Sequence, residues 1–241
     1  MANSNASSEK LKGTLDFDQI VQAWQDSKEG RYALEAVRAS DFVLQSIAEG
    51  NPVSAEDFAT NLGFSLKETQ ILMRRSRSSG ADFDDGGRMI GNALTLKPTA
   101  HRLEVDGQTL YAWCALDTLF LPGLIGKTGE VYSTSAATGE PIRLTVAPTG
   151  IQQFDPASTV LSVVVPGISQ ACDPDQRGGA DGAACSSMHF FASRKEAEEY
   201  LRADTDISIL TVEEASELAQ RAWVRPYRSA LESASKLDPS D

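Results

Sequence analysis

A long apolar segment, residues 111–126, holds a cysteine and an aspartate three residues apart, and any fold of this chain has to bury it. Its apolar residues at positions 113, 116, 119, 120 and 124 have the spacing of a short buried helix, on which residues i and i+3 share a face. The Cys114 thiol and the Asp117 carboxyl group would then point into the same water-poor space. Burying either group without a partner costs a few kcal/mol. The segment predicts either a functional pair or a core cysteine beside a helix-capping aspartate, and the usual burial of free cysteines favours the second interpretation.

The first part of the chain has helical periodicity. Helices are predicted over residues 17–26 and 31–49. Two shorter helices joined by a glycine turn follow, capped by Ser54 and Ser65. A hairpin is predicted through residues 84–87. Two short helices followed by a hairpin are typical of a winged helix-turn-helix.

Beyond Thr95 the pattern changes to strand-like alternation and β-branched runs. The run over residues 160–166 is predicted to be a central strand, and residues 171–182 a polar surface loop. Strands are predicted over residues 102–111 with an Asp–Gly turn, 129–135, 141–146, 160–166, 186–191 and 207–210, and capped helices begin at Ser193 and Thr211.

These patterns predict an α+β fold, in which a winged-helix-like helical domain precedes a mixed β-sheet domain with packed helices. The expected boundaries are a disordered N-terminus over residues 1–15, the winged-helix-like domain over 16–98, the second domain over 99–230 and a flexible tail over 231–241.

The charge of the chain restricts its partners. A formal net charge of −12 argues against general affinity for nucleic acid or for an anionic membrane. Lys67, Arg74, Arg75 and Arg77 are side chains that a DNA-reading helix would carry, but one basic face is commonly only solvated, so a structural role is favoured. We find no apolar run of transmembrane length and no signal-peptide core, and therefore expect a cytoplasmic protein.

Three cysteines, Cys114, Cys172 and Cys185, are too few and too scattered for a disulfide framework, and thiols are expected in a reducing compartment. A structural zinc site requires four ligands. His101 and His189 could complete a set, but their spacing does not support it. What remains is a two-thiol site beside a proton donor, and soft thiolates select thiophilic metals.

Three motifs resemble those of the organomercurial (alkylmercury) lyases. They are YAWCALDTL at residues 111–119, continued by Pro122 and the Leu-Ile-Gly of residues 124–126; AATGxPIxLTVxP at residues 136–148; and CxxxHFFAS at residues 185–193. The resemblance extends more weakly to the N-terminal half, so it covers most of the chain.

The resemblance implies cleavage of a carbon–mercury bond, which releases a hydrocarbon and leaves Hg(II) on the protein. Cys114 and Cys185 match the family's two catalytic cysteines, and Asp117 matches its catalytic aspartate; the same three residues would hold the Hg(II) product. The resemblance also implies that no organic cofactor is needed, that external thiols complete the cycle, and that Hg(II) passes to mercuric reductase.

Aromatic residues near the motif cysteines are candidates to line a pocket for the organic group. These are Trp113, Phe120 and Phe190, with a core position favoured for Phe120. The chain departs from the family where several members carry further cysteines, and has Ser135 and Ser186 instead. Cys172, in a loop longer than expected, is interpreted as an incidental thiol rather than one that hands over Hg(II).

Two other functions remain open at this point. One is a non-catalytic soft-metal protein that binds mercury or copper through Cys114 and Cys185. The other is a metal-responsive transcription regulator that uses the winged helix and binds DNA in a salt-dependent manner.

Overall fold

Helices dominate the first part of the chain and antiparallel strands the rest, in a computed structural model that describes residues 16–27, 34–166, 185–202 and 207–236. The predicted disordered N-terminus, the predicted loop over residues 171–182 and Cys172 lie outside the described residues.

Four helices open the described chain: α1 (Phe17–Ser27), α2 (Leu34–Ala48), α3 (Ala55–Leu62) and α4 (Leu66–Ser78). The side chains of Ser54 and Ser65 accept the backbone N–H groups that begin α3 and α4, and both form complete capping boxes, which confirms the predicted caps. Gly63 ends α3 in the left-handed conformation, with a φ of 70° that glycine adopts without steric cost.

A hairpin leads from α4 into an eight-stranded sheet. The strands are β1 (Asp82–Phe83), β2 (Met89–Asn92), β3 (Leu94–Thr95), β4 (His101–Val105), β5 (Gln108–Ala112), β6 (Gly129–Thr134), β7 (Pro141–Ala147) and β8 (Gly150–Asp155), in the order β1-β2-β3-β5-β4-β6-β7-β8. The hairpins predicted through residues 84–87 and at the Asp–Gly turn are confirmed.

A second sheet has three strands. Its central strand is β9 (Val160–Val164), buried along its whole length, between β10 (Phe190–Phe191) and β11 (Ile207–Thr211). The predicted central strand is confirmed, but the strand predicted over residues 186–191 is reduced to its last two residues. Beside this strand the Ser162 hydroxyl donates to the Ser187 carbonyl at 2.8 Å and accepts the His189 N–H at 2.9 Å, while the Ser162 N–H still donates to the His189 carbonyl at 3.0 Å. The side chain thus takes over part of the backbone pairing of this segment.

The expectation of a mixed sheet is wrong. Every strand pair in the described part of the chain is antiparallel, in two separate sheets. Short turns join most successive strands of the larger sheet, whereas a parallel pair needs a crossover of about a dozen residues. The α+β class stands, with a large antiparallel sheet.

The second part of the chain contributes four α-helices and a π-helical segment among its described residues. They are α5 (Asp117–Ile125), α6 (Arg194–Leu201), α7 (Val212–Ala219), a π-helical segment (Gln220–Val224) and α8 (Arg225–Lys236). Because α8 continues through Lys236, with Ala234 buried, the first residues of the predicted flexible tail are helical. The helices in the described ranges are all too short or too polar to cross a membrane.

One hydrophobic core joins the two parts of the chain. It includes Ile20 and Trp24 of α1, Ile47 of α2, Leu119 of α5 and Leu161 of β9. The Trp24 indole N–H also donates to a backbone carbonyl of β9 at 3.0 Å, in a buried position. The N-terminal helices are therefore packed against the elements that follow the apolar segment.

Candidate active site

Cys114 lies in the turn between β5 and α5, and only 1% of its surface is exposed. The predicted helix was expected to include Cys114, but α5 begins at Asp117. The backbone N–H groups of Trp113 and Ala115 instead donate to the carbonyls of Ala93, at 3.0 Å, and Met188, at 3.3 Å. These bonds to other chain segments replace the helical ones, so the thiol and the carboxyl group do not share a helix face.

A local hydrogen bond brings the two groups together nevertheless. Asp117, which is 5% exposed, opens α5, and its Oδ2 accepts the backbone N–H of Cys114 at 3.0 Å. A carboxylate in the first turn of a helix is also favoured by the helix dipole. The expectation of a helix-capping aspartate is wrong, because Leu116 is the N-cap residue of α5 and makes no side-chain cap bond. The Asp117 carboxyl group instead bonds to the turn and lies directly beside its thiol.

Cys185 reaches this site from a distant part of the sequence. It lies just before β10, half-buried, and its thiol donates to Asp117 Oδ2 over 3.9 Å. The Cys114 and Cys185 sulfur atoms and an Asp117 carboxylate oxygen all lie within 4.8 Å of one another. Metal–thiolate bonds are about 2.3 Å long for zinc, so one metal ion of similar size can contact both sulfur atoms.

The environment keeps the Cys114 thiol protonated at neutral pH. Burial raises the pKa of Cys114 well above its ordinary value, and the neighbouring Cys185 thiol and Asp117 carboxylate raise it further. A thiolate is the form that binds a metal. Cys114 must therefore lose its proton when a metal binds, and Asp117 is the adjacent base.

A cavity of about 340 Å³ opens onto the three groups. Its walls are mostly apolar and include Phe120 and Leu121 of α5, Met188 and Trp223. An apolar cavity of about 150 Å³ is large enough to bind benzene. This cavity can therefore hold an organic group of that size next to the sulfur atoms.

The three aromatic candidates occupy different positions relative to the cavity. Trp113 and Phe120 line the cavity, and Phe120 also stacks on Trp223 at 5.2 Å with nearly parallel rings. Phe120 is only 6% exposed, so it is a core residue that also forms part of the cavity wall. Phe190 is fully buried and packs against His101 instead, with ring centroids 5.9 Å apart.

Among the described residues, the two histidines lie outside the cluster of sulfur and carboxylate atoms. His101 Nδ1 lies 2.8 Å from the Ser133 hydroxyl, and burial, helped by the charge of His189, lowers the pKa of His101 to about 4. Of the two serines noted in the sequence, Ser135 donates to Glu196 at 2.8 Å, and Ser186 is exposed.

Sequence reasoning missed that the N-terminal helices form one wall of the cavity. Trp24 of α1, Phe58 of α3 and Leu72 of α4 contribute to it, together with a face of α2. That face consists of Ala36, Ala39, Ser40, Val43 and Leu44. Their i, i+3, i+4, i+7 spacing was a usable signal for a single face, but the spacing does not say what the face covers.

The arrangement can bind a soft, thiophilic metal between two sulfur atoms, and the carboxyl group beside them can supply or remove a proton. The cavity offers an attached organic group an apolar environment. Soft sulfur ligands favour metals of this kind over hard cations.

Comparison with known proteins supports the same chemistry. Residues 94–224 match the family model of alkylmercury lyase. The chain is 39% identical over 183 residues to the alkylmercury lyase of Staphylococcus epidermidis, covering 76% of this chain and 80% of that protein. It is 42% identical over 173 residues to the alkylmercury lyase of Pseudomonas putida, covering 72% and 77%.

A solved structure has the same fold. The crystal structure of the mercury-bound form of MerB2 superposes with a TM-score of 0.68, covering 88% of this chain and 98% of that chain, at 21% sequence identity.

Proposed function

The chain belongs to the alkylmercury lyase family, and from that premise we propose that Cys114, Asp117 and Cys185 together cleave the carbon–mercury bond of an organomercurial. The approach of two sulfur atoms and a carboxylate oxygen to within 4.8 Å, at the end of an apolar cavity, is the observation that carries this assignment.

The reaction begins with capture of the metal. One cysteine sulfur displaces the thiol or other ligand that the organomercurial carries, and the second sulfur then binds the same mercury. The Cys114 thiol, whose pKa is raised by burial, transfers its proton to the Asp117 carboxylate as it binds. Mercury is then held by two thiolates and still carries its organic group.

Protonation of carbon completes the cleavage. Two thiolates donate electron density to mercury and weaken its bond to carbon. Asp117 delivers the proton, the electron pair of the carbon–mercury bond forms the new carbon–hydrogen bond, and the hydrocarbon leaves. Mercury remains Hg(II) throughout, so the step requires no electron donor or acceptor. The product ion stays on Cys114 and Cys185, next to the Asp117 carboxylate.

Turnover then requires removal of Hg(II). We propose that cellular thiols exchange with Cys114 and Cys185, restore their protons and pass Hg(II) on, with mercuric reductase as the final acceptor. The same steps need no organic cofactor. Both described cysteines are free, which suits the reducing cytoplasm that we propose as the location.

We also propose that the N-terminal unit is winged-helix-like and serves this cavity rather than DNA. The succession of α3, α4 and the β1–β2 hairpin supports the first part. The contribution of α1 to α4 to the cavity wall supports the second.

A headspace assay for benzene from phenylmercury and for methane from methylmercury tests the function directly. Asp117→Asn is the informative variant, because its amide oxygen can still accept the Cys114 N–H while the acid proton is lost. We expect Hg(II) to remain bound and hydrocarbon release to fall about 10²- to 10⁴-fold, the range of general acid catalysis. Full turnover by Asp117→Asn would refute the role of Asp117, and metal binding without hydrocarbon release by the unaltered chain would indicate a carrier.

A further inference from the structure

Trp113, whose indole lines the cavity one residue before Cys114, is bound by a carboxylate from another part of the chain. Its Nε1–H donates to Asp82 Oδ2 at 2.8 Å, across 31 residues of sequence. Asp82 lies in β1, within the hairpin that follows α4. The bond therefore connects a wall of the cavity near the reactive sulfur atoms with the N-terminal unit.

Other groups hold the Asp82 carboxylate in place. The Thr95 hydroxyl donates to the same Oδ2 at 3.0 Å, and the Lys97 ammonium lies 3.6 Å from Oδ1. The Thr95 hydroxyl also accepts the backbone N–H of Lys97 at 3.1 Å, which directs its own hydrogen toward Asp82. The acceptor offered to Trp113 is thus held by two further groups, the Thr95 hydroxyl and the Lys97 ammonium.

The backbone is shaped to allow this network. Thr95 is fully buried opposite Gly91, where a Cβ atom would lie 2.3 Å from the Thr95 side chain. Any other residue at position 91 would displace Thr95. The glycine thus lets the Thr95 hydroxyl reach Asp82.

We infer that Asp82 is a positioning residue for the reaction, which fixes the plane of the Trp113 indole beside the mercury-bound carbon. This inference rests on the proposed function. A tryptophan N–H needs only a neutral acceptor to be satisfied. A carboxylate gives a shorter and stronger bond that restricts the ring further. A ring held in this way gives the organic group one defined surface, and small errors of placement cost much of the rate of an oriented reaction.

Loss of the Asp82 carboxylate should lower the rate of catalysis only because the Trp113 indole is no longer held in place. Without Asp82 the ring can turn within the cavity, so substrates with a large organic group should suffer more than methylmercury. The two thiols and Asp117 are untouched, so Hg(II) retention should not change.

A double-mutant cycle on the full chain tests this route, with phenylmercury as substrate and benzene release as the readout. We expect Asp82→Ala and Trp113→Phe each to lower kcat/KM about tenfold, less than the roughly 100-fold that a 1 Å misplacement of reacting groups costs. The combined variant should be no worse than either single one, because Trp113→Phe keeps a ring but removes the N–H on which Asp82 acts. Asp82→Asn, which retains an acceptor oxygen, should lose less of the kcat/KM than Asp82→Ala does. It also replaces Asp82→Ala in the cycle if that variant does not fold.

Asp84→Ala is the matched control. Asp84 is an acid of the same hairpin that pairs with Arg88 at 2.7 Å and does not line the cavity, so its variant should stay within about twofold of the unaltered chain. A penalty for Asp82→Ala that persists in the Trp113→Phe background, or an equal penalty for Asp84→Ala, would overturn the inference while the proposed function stands. Failure of the unaltered chain to release benzene would overturn the proposed function itself, together with the role of Asp82.

Discussion

The N-terminal helices and the sheet-bearing remainder of the chain line the same cavity with different kinds of side chain. All three reactive groups, Cys114, Asp117 and Cys185, come from the sheet-bearing part. The N-terminal helices contribute mainly apolar surface, from Trp24 of α1 to Leu72 of α4. The chemistry therefore belongs to one part of the chain, whereas both parts shape the cavity. The wall formed by the N-terminal helices should be alterable without changing the reactive groups.

The largest effect should follow removal of either thiol. Cys114→Ser and Cys185→Ser should each lower hydrocarbon release by roughly 10³-fold or more, and the double variant should cost little beyond that, because groups that act as a unit are not additive. A hydroxyl group cannot replace a soft thiolate as a mercury ligand. Hydrocarbon release and retention of Hg(II) measure this, with Ser186→Ala, at the exposed neighbouring position, as control. A single-thiol variant with substantial turnover would break the assignment of the chemistry to this pair.

The next effect concerns the stability of the sheet-bearing part in acid. His101 pairs with Ala112, two residues before Cys114, and burial lowers the pKa of His101 from 6.5 to about 4. Above pH 6.5 both the folded and unfolded states hold a neutral imidazole, and the stability is complete. Between pH 6.5 and 4 only the unfolded state gains the proton, so the free energy of unfolding should fall by about 3 kcal/mol.

Urea unfolding at a series of pH values measures this loss. In His101→Gln the part of the pH dependence of the unfolding free energy that is due to this residue should disappear, although the variant itself is less stable at neutral pH. An unchanged slope in the variant would mean that other groups cause the acid sensitivity.

A smaller effect should follow when the α2 wall is filled. Ala39 is buried on the face of α2 that lines the cavity, so Ala39→Leu should reduce kcat/KM for phenylmercury about tenfold, as expected when an apolar pocket loses room for a few carbon atoms. Methylmercury should be affected much less. Ala39→Ser, of nearly the same size, is the control, and the melting temperature separates filling of the cavity from overpacking of the core. Equal losses of kcat/KM for both substrates would show that the α2 wall affects the reaction itself and not only the room for the organic group.

The smallest effect is expected at the basic surface of α4. Arg74 and Arg75 are exposed and do not line the cavity, so exchanging both for glutamine should change hydrocarbon release less than twofold. Titration of the unaltered chain with duplex DNA at two salt concentrations gives a second measurement. Tight, salt-dependent binding that the exchange abolishes would give the N-terminal unit a function other than shaping the cavity.

Local sequence predicted much of the fold because several signals act within a few residues. Ser54, Ser65 and Thr211 cap helices as expected, since the hydroxyl oxygen and the backbone N–H group that donates to it are three residues apart. The branched run at β9 became a buried central strand because its side chains suit a sheet covered on both faces. Predictions failed where partners outside the segment decided the outcome, as for Cys114, whose neighbours bond to Ala93 and Met188 rather than continue a helix.

The amino-acid sequence alone predicted the three residues of the candidate site and, through the motifs around Cys114 and Cys185, identified the family. Only the tertiary structure decided that Cys185 meets Asp117 across 68 residues, that α2 closes the cavity, and that Asp82 holds the Trp113 indole. The physical reason is that capping and periodicity depend on neighbours along the chain. The approach of distant side chains depends instead on how whole elements bury their apolar faces against one another, and that packing is not written in any single segment.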